Sequence, residues 1–320
     1  MLRPVKYNDF MVKGNIFAAP LAGYSNFPTR MLYQEHGADL TFTEMISARG
    51  IVHEDEKTLA LLYTDKNEKN KAVQIFDDDK YILSEACEYI QTKTPYKIIN
   101  INAGCSVKKI LRANKGGALL KDPRKLNDIL HYISKNIRIH LTLKIRSGWD
   151  ENDLNYRRIG KIASDNNCKM IIFHPRTVKQ VFSGKANWDQ VYDLKKKVPI
   201  PVIGNGDIFT VQEAYDRLKH PVDGIMVGRG AIGNPWIFEN IKKFIKGERY
   251  TEPDPKEKIR GMFLHLQKMV QFFGERKGII IFRCQMAQYI KSFKDSAGIR
   301  KKIQICDKFS EIEKILAEYK

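Results

Sequence analysis

Residues 201–233, PVIGNGDIFTVQEAYDRLKHPVDGIMVGRGAIG, hold the repeating unit of this chain in its shortest form. Two apolar, β-branched runs, 201–204 and 224–227, bracket a segment long enough for one crossover helix, and each run ends in a glycine-flanked polar turn, Asn205-Gly206-Asp207 and Gly228-Arg229. A run, a crossover and a second run in the same direction make the parallel βαβ unit. Upstream the same rhythm recurs at 16–19, 40–44, 72–76, 98–102, 141–145 and 170–173, and the eight starts lie 24, 32, 26, 43, 29, 31 and 23 residues apart. Eight such units predict an α/β chain built as a (β/α)8 TIM barrel. An open doubly wound sheet could use the same elements, and the placement of polar residues decides against it. Pro20-Leu21-Ala22-Gly23, Glu44, Gln74, Asn102-Ala103-Gly104-Cys105, Lys144-Ile145-Arg146 and His174-Pro175-Arg176 all stand at or just after the C-terminal end of a predicted strand. In a barrel those ends meet on one rim, where active sites are built.

Beyond the eighth unit the pattern changes. KGERYTEPDP, residues 246–255, has two prolines, a glycine and no apolar period, and reads as a linker after a barrel domain at 1–245. From 256 to 320, Ile259, Met262, Phe263, Leu266, Met269, Val270 and Phe273, then Ile281, Cys284, Met286, Tyr289 and Ile290, then Ile312, Ile315 and Leu316 recur at helical spacing, which predicts a small all-helical domain.

The chain has 320 residues with 43% hydrophobic side chains, enough for a sizeable core, which excludes a stapled mini-protein and a disordered chain. No apolar run approaches the 18 or so residues of a membrane span, and the charged opening MLRPVKYNDFMVKG lacks a signal-peptide core, so a soluble cytoplasmic protein is expected. Five cysteines show neither C-x-x-C nor zinc spacing, and Cys87, Cys168, Cys284 and Cys306 sit in helical or apolar settings that read as core. No metal site is expected. The formal charge of +18 is concentrated in residues 101–200 (+13) and 241–320 (+9). Such an excess points to a polyanionic partner, although a lysine-rich genome would give the same count.

Gly228-Arg229-Gly230-Ala231-Ile232-Gly233 matches G-x-G-x-x-G, but it follows the last strand, and the acid expected about 20 residues on would fall in the linker. In a barrel the same glycines, with Gly204-Asn205-Gly206, form the phosphate cradle after strands seven and eight. A phosphate-bearing cofactor is therefore expected. Cys105, at a glycine-loosened turn beside Lys108 and Lys109, is the candidate for chemistry. Lys144 should point into the barrel mouth and needs a negative partner there. His174 reads as a ligand-side residue, Arg146 as either a cleft residue or a surface partner of Asp150, and Asp207 as either a helix cap or a cofactor contact.

Taken together the motifs resemble the flavin-dependent dihydrouridine synthases acting on RNA. They are PLAGYSNFPTR (20–30), NINAGCSVKK with GGALLKDP (100–123), KIRSGWD (144–150), HPRT with QVFSGKANW (174–188), PVIGNGDI (201–208) and GIMVGRGAIGNPWIF (224–238). The resemblance implies FMN in the barrel, with Pro20, Leu21 and Ala22 under the ring, Gln74 and Lys144 at its polar edge, His174 nearby, and Asn205, Gly206, Asp207, Gly228 and Arg229 toward the ribityl phosphate. It implies that NADPH or NADH reduces the flavin, which passes hydride to carbon 6 of a uracil while Cys105 protonates carbon 5. Asn102, Arg146 and Arg176 are then candidates for holding the uridine or its neighbouring phosphates. It further implies a monomer whose substrate is tRNA, with the helical domain gripping the RNA; rRNA, or a free pyrimidine reduced by a related FMN barrel, are the alternatives. Three positions depart from the family pattern: Ser106 replaces proline, Leu21 replaces methionine, and Pro175 replaces glycine or alanine.

Overall fold

The computed structural model describes residues 1–317, so the last three residues of the helical domain expected at 256–320 lie outside the described residues. A hairpin opens the chain, β1 (Val5–Tyr7) and β2 (Phe10–Val12). Eight parallel strands follow: β3 (Ile16–Ala18), β4 (Thr41–Ser47), β5 (Lys71–Phe76), β6 (Ile98–Ala103), β7 (His140–Arg146), β8 (Ile171–His174), β9 (Val202–Asn205) and β10 (Gly224–Val227). Each pairs with its sequence neighbour, β10 pairs with β3, and the last gap is closed by the Ala18 N–H donating to Leu40 O at 2.9 Å. The expected closed barrel is what forms, with every predicted strand present.

Side chains alternate along a strand, so every second residue enters the barrel. The lower interior is apolar: Phe17, Leu40, Phe42, Ala72, Ile98, Met170, Ile172, Ile203 and Met226 pack together with Val5, Phe10 and Val12 of the hairpin, which plugs the N-terminal end. That plug was not anticipated. Its alternation, Val5 and Tyr7 against Phe10 and Val12 around the two-residue Asn8-Asp9 turn, is a short hairpin signature hidden by the charges between. Two residues further along the same strands the interior turns polar, with Gln74, Asn100, Asn102, Thr142, His174 and Asn205 all buried.

In β4 the register slips between Phe42 and Met45. A bulge at a barrel rim re-aims side chains, and here it turns Met45 into the cleft while Glu44 accepts from the Gly23 N–H at 2.7 Å. Helix Ile237–Lys246 ends on Gly247 in the left-handed conformation, and the next helix starts at Pro255 behind the Asp254 cap. Helices Pro255–Phe273, Glu275–Tyr289, Ser296–Gln304 and Phe309–Ala317 surround a second core of Ile259, Met262, Leu266, Phe282, Met286 and Ile299, into which the barrel sends Trp236. Cys87, Cys168 and Cys306 are buried as expected, whereas Cys284 is exposed: it faces Tyr24 of the barrel rather than the bundle core. No helix among the described residues is long and apolar enough to cross a membrane.

Candidate active site

The C-terminal ends of the barrel strands enclose a cleft of about 320 Å³. Fourteen of the sequence-predicted residues line it: Pro20, Leu21 and Ala22 after β3, Gln74 on β5, Asn102 on β6 and Cys105 after it, Lys144 and Arg146 on β7, His174 on β8, Asn205 on β9 with Gly206 and Asp207 after it, and Gly228 and Arg229 after β10. Arg176 is not among them. Its side chain is only 2% exposed, and its guanidinium donates to Ser183 O, Gly184 O and Asp207 Oδ2, which commits it to ordering the loop after β8.

A buried chain of amides runs up to the cysteine. Thr142 Oγ1 receives Asn100 Nδ2 at 2.9 Å, Asn100 Oδ1 receives Gln74 Nε2 at 2.7 Å, and Gln74 Oε1 receives Asn102 Nδ2 at 2.9 Å. Asn102 Oδ1 then accepts the N–H groups of Gly104 and Cys105 at 3.1 and 2.9 Å. Both ends of Asn102 and of Gln74 are thereby spent on shaping the loop. On its far side Cys105 O accepts the Gly117 N–H at 2.9 Å, and a Cβ on Gly116 would meet Cys105 Cβ at 2.9 Å, so only glycine fits. Burial pushes the Cys105 thiol up, and Arg146 and Lys144 offset this only in part. The thiol holds its proton at neutral pH.

Lys144 Nζ donates to Asn205 Oδ1 at 2.9 Å, and the expected negative partner is missing: no carboxylate among the described residues reaches it. Burial, then the neighbouring Arg146 charge, pull its pKa down to about 7. Arg146, 4% exposed, donates to Gly104 O and Thr177 O and does not pair with Asp150, which Lys179 takes instead. His174 is pushed well below its ordinary value by burial and by the surrounding Arg146, Lys144, Arg176 and Arg229, and is neutral. Arg176 Nη1 lies 3.2 Å from His174 Nε2, which must accept, so the ring proton sits on Nδ1.

Asp207 has a positive φ of 49° and caps no helix, since Thr210 and Glu213 form the capping box of the next one. Its carboxylate joins Arg176, the Ala186 N–H and Arg229, the last at 3.2 Å. It therefore aims a cation rather than meeting an anion itself. The backbone N–H groups of Gly228, Arg229 and Gly230 meet no acceptor among the described residues. Sequence reading missed Phe182, half exposed at the mouth with the Arg229 guanidinium 4.6 Å from its ring centroid, and also Phe209 and Met45, which line the same cleft. A lone aromatic in a polar loop carries no period that would have marked it.

The site is thus a cationic cleft across the C-terminal rim of a closed parallel barrel, with a protonated thiol in its wall, the place where barrel enzymes carry their active sites. The fold is shared with histamine dehydrogenase from Rhizobium sp. 4-9 (TM-score 0.56, 12% identity, 83% of this chain and 50% of that one). It is likewise shared with the old yellow enzyme homologue from Zymomonas mobilis (TM-score 0.53, 15% identity, 80% of this chain and 95% of that one). The family is narrower than the fold. The dihydrouridine synthase family model matches residues 17–319. A tRNA-dihydrouridine synthase B of Pasteurella multocida is 35% identical over 298 residues, covering 92% of this chain and 90% of that protein. A probable tRNA-dihydrouridine synthase of Treponema pallidum is 32% identical over 318 residues, covering 96% and 92%. The chain belongs to the dihydrouridine synthase family.

Proposed function

We propose that this protein is an FMN-dependent tRNA-dihydrouridine synthase using NADPH or NADH, in which Cys105 protonates carbon 5 of a uracil extruded into the cleft. The observation that carries this reading is the pairing, in one cleft, of a thiol kept protonated by burial with an ammonium, Lys144, that has only a neutral partner. A largely desolvated cation without a carboxylate in reach calls for an anionic or strongly dipolar ligand. The unpaired amides of Gly228, Arg229 and Gly230, next to the Arg229 guanidinium, suit a phosphate, so the chain's own groups fit FMN at both ends.

When bound and reduced by NADPH or NADH, FMN supplies the hydride that adds to carbon 6. The chain does the rest. Cys105 Sγ–H gives its proton to carbon 5, so hydride plus proton saturate the double bond and leave a thiolate that solvent reprotonates. General acid catalysis of this kind contributes about 10²–10⁴-fold. Lys144 stabilises negative charge on the ring edge, and Gln74 and Asn102 hold the cysteine loop in register. Arg146, held in the cleft wall by Gly104 O and Thr177 O, places its charge on the uridine side. A uridine stacked in RNA cannot reach the floor of a barrel cleft, so the target must be unpaired or flipped out. The basic residues of 101–200 and of the helical bundle then hold phosphates, which makes binding steeply salt dependent.

The test is nucleoside mass spectrometry of unmodified tRNA and rRNA incubated with the protein, FMN and NADPH, with Cys105→Ala alongside. Dihydrouridine in tRNA, reduced at least 100-fold in the variant while NADPH still bleaches the flavin, is the expected result. Product in rRNA alone, turnover of free uracil alone, or undiminished turnover by Cys105→Ala would each overturn part of the assignment.

A further inference from the structure

The helical bundle meets the barrel at Thr29, fully buried on the helix Phe27–Glu35 and outside the cleft. Its hydroxyl lies 2.9 Å from Asn26 Oδ1, 3.0 Å from His265 Nε2 and 3.1 Å from Gln285 Nε2, with the Gln285 carbonyl oxygen farther away at 3.4 Å. A hydroxyl has one proton and two lone pairs. Asn26 Oδ1 can only accept and Gln285 Nε2 can only donate, so His265 Nε2 must be the second donor. The other ring nitrogen, Nδ1, then accepts from the Tyr289 hydroxyl at 3.1 Å. Every polar atom of Thr29 and His265 at this junction is satisfied by one arrangement only. Burial holds His265 down to about 3, so the arrangement does not change across ordinary pH.

Asn26 is also the cap of the helix Phe27–Glu35 and the direct continuation of residues 20–25. That loop is a compact unit: Leu21 N–H donates to Ser25 Oγ, Ser25 Oγ to Ala19 O, and the Tyr24 and Ser25 N–H groups to Leu21 O. Its inner face, Pro20, Leu21 and Ala22, lines the cleft, and its outer face sets Tyr24 in hydrogen-bond contact with Cys284. The helix Glu275–Tyr289, which carries Cys284, Gln285 and Tyr289, therefore presses on the loop after β3. The same helix reaches the other cofactor loop. Gly233 closes the turn whose first amides form the phosphate cradle; it has φ +68°, and a Cβ there would meet Tyr289 N at 2.6 Å and Gln288 C at 2.7 Å.

We propose that the helix Glu275–Tyr289 is a brace for the cofactor site, with Thr29 as a positioning residue, so that flavin retention depends on a hydroxyl and a glycine that touch neither flavin nor RNA. The helical bundle then has two tasks, holding RNA and setting the two loops that hold the cofactor. Apolar contacts such as Phe27 on Phe272 would let the helices slide, whereas the directional hydrogen bonds of Thr29 and His265 fix one register. The proposal rests on the reading of the cleft as a flavin site.

The experiment measures FMN dissociation constant by quenching of flavin fluorescence, together with the bound flavin's absorbance spectrum. It compares the wild type with Thr29→Val, Thr29→Ser and Gly233→Ala. Thr29→Val and Gly233→Ala are expected to weaken FMN binding at least tenfold and to shift the spectrum toward that of free flavin, while Thr29→Ser stays within about twofold of wild type. Gly233→Ala approaches the brace from the opposite loop, so the test stands if Thr29→Val fails to fold. Ile312→Val, in the core of the last helix, controls for loosening of the bundle alone and should bind FMN normally. Wild-type affinity and spectrum in both Thr29→Val and Gly233→Ala would overturn the brace. A wild type that takes up no FMN would overturn the flavin reading beneath it.

Discussion

The lower and upper halves of the barrel interior are built by the same strands at the same alternation, yet they behave as different materials. Below, Phe17, Phe42, Ile98, Ile172 and Met226 fill the space with hydrocarbon and the β1–β2 hairpin seals it. Above, two residues along, stand an ammonium without a carboxylate, a neutral histidine among cations, and a ladder of amides ending at a cysteine. Identical backbone geometry thus supports burial that stabilises and burial that costs stability. Within the barrel the costly polar groups gather at the rim end, where barrel active sites are built.

That contrast is sharpest at Cys105. Replacing it by alanine removes one sulfur atom beside the cleft, so the unfolding free energy should change by less than about 1 kcal/mol, while product formation falls by about 10²–10⁴-fold. Phe42→Ala should do the reverse. The loss of a fully buried ring in the lower interior is worth about 3–5 kcal/mol by urea denaturation, with turnover per folded molecule unchanged. A Phe42→Ala protein that loses turnover in proportion to nothing but folding supports the division of labour; one that is stable but inactive breaks it.

Lys144→Met tests the cost directly. In flavin-free protein the ammonium is held near 7 against an ordinary value of 10.5, so the unfolded chain binds the extra proton between those values. Stability should therefore rise with pH from about 7 to about 10.5 in the wild type, because protons favour the unfolded state across that window. The methionine variant should lack this component and be the more stable protein at pH 6. Its FMN affinity should fall by roughly tenfold or more, the worth of a hydrogen bond to a charged donor.

The sequence revealed the eight strands because buried parallel strands read as continuous β-branched runs, and it revealed the cleft residues because polar types follow those runs. What it hid has a physical pattern. Met45 enters the cleft only through the slip in β4, and a one-residue shift leaves no trace in an apolar period. Gln285 occupies a core position of its helix but is polar, so the periodicity passed over it and took Cys284, which faces the barrel instead. Arg176 stands at a strand end like the true cleft residues, and only the return of the loop at 183–184 shows where its guanidinium goes. Each miss depends on a contact made by chain distant from the residue concerned.

The smallest effect concerns Asp207, an acid in a cleft suited to an anion. Burial alone would raise its pKa, but the Arg176 hydrogen bond, the Ala186 N–H and the nearby guanidinium charges outweigh this and hold it below the ordinary carboxylate value. A depressed folded pKa contributes stability that is present above the unfolded value and lost as pH falls through the folded one. Asp207→Asn tolerates the same positive φ and keeps one acceptor oxygen, so the loop after β8 should stay in place. The buried Arg176 would lose its ion pair, at a cost of about 1–2 kcal/mol for a partly exposed partner, and the acid-side loss of stability below about pH 4 should shrink. Asn keeps an oxygen for Arg176 and Ala186 but turns an amide N–H toward Arg229, so if Asp207 only aims this partly exposed cation, FMN affinity should fall by no more than about threefold, measured by the same fluorescence quenching. A tenfold loss would instead assign Asp207 a direct place at the cofactor, and the line between residues that meet the ligand and residues that aim them would have to be redrawn through β9.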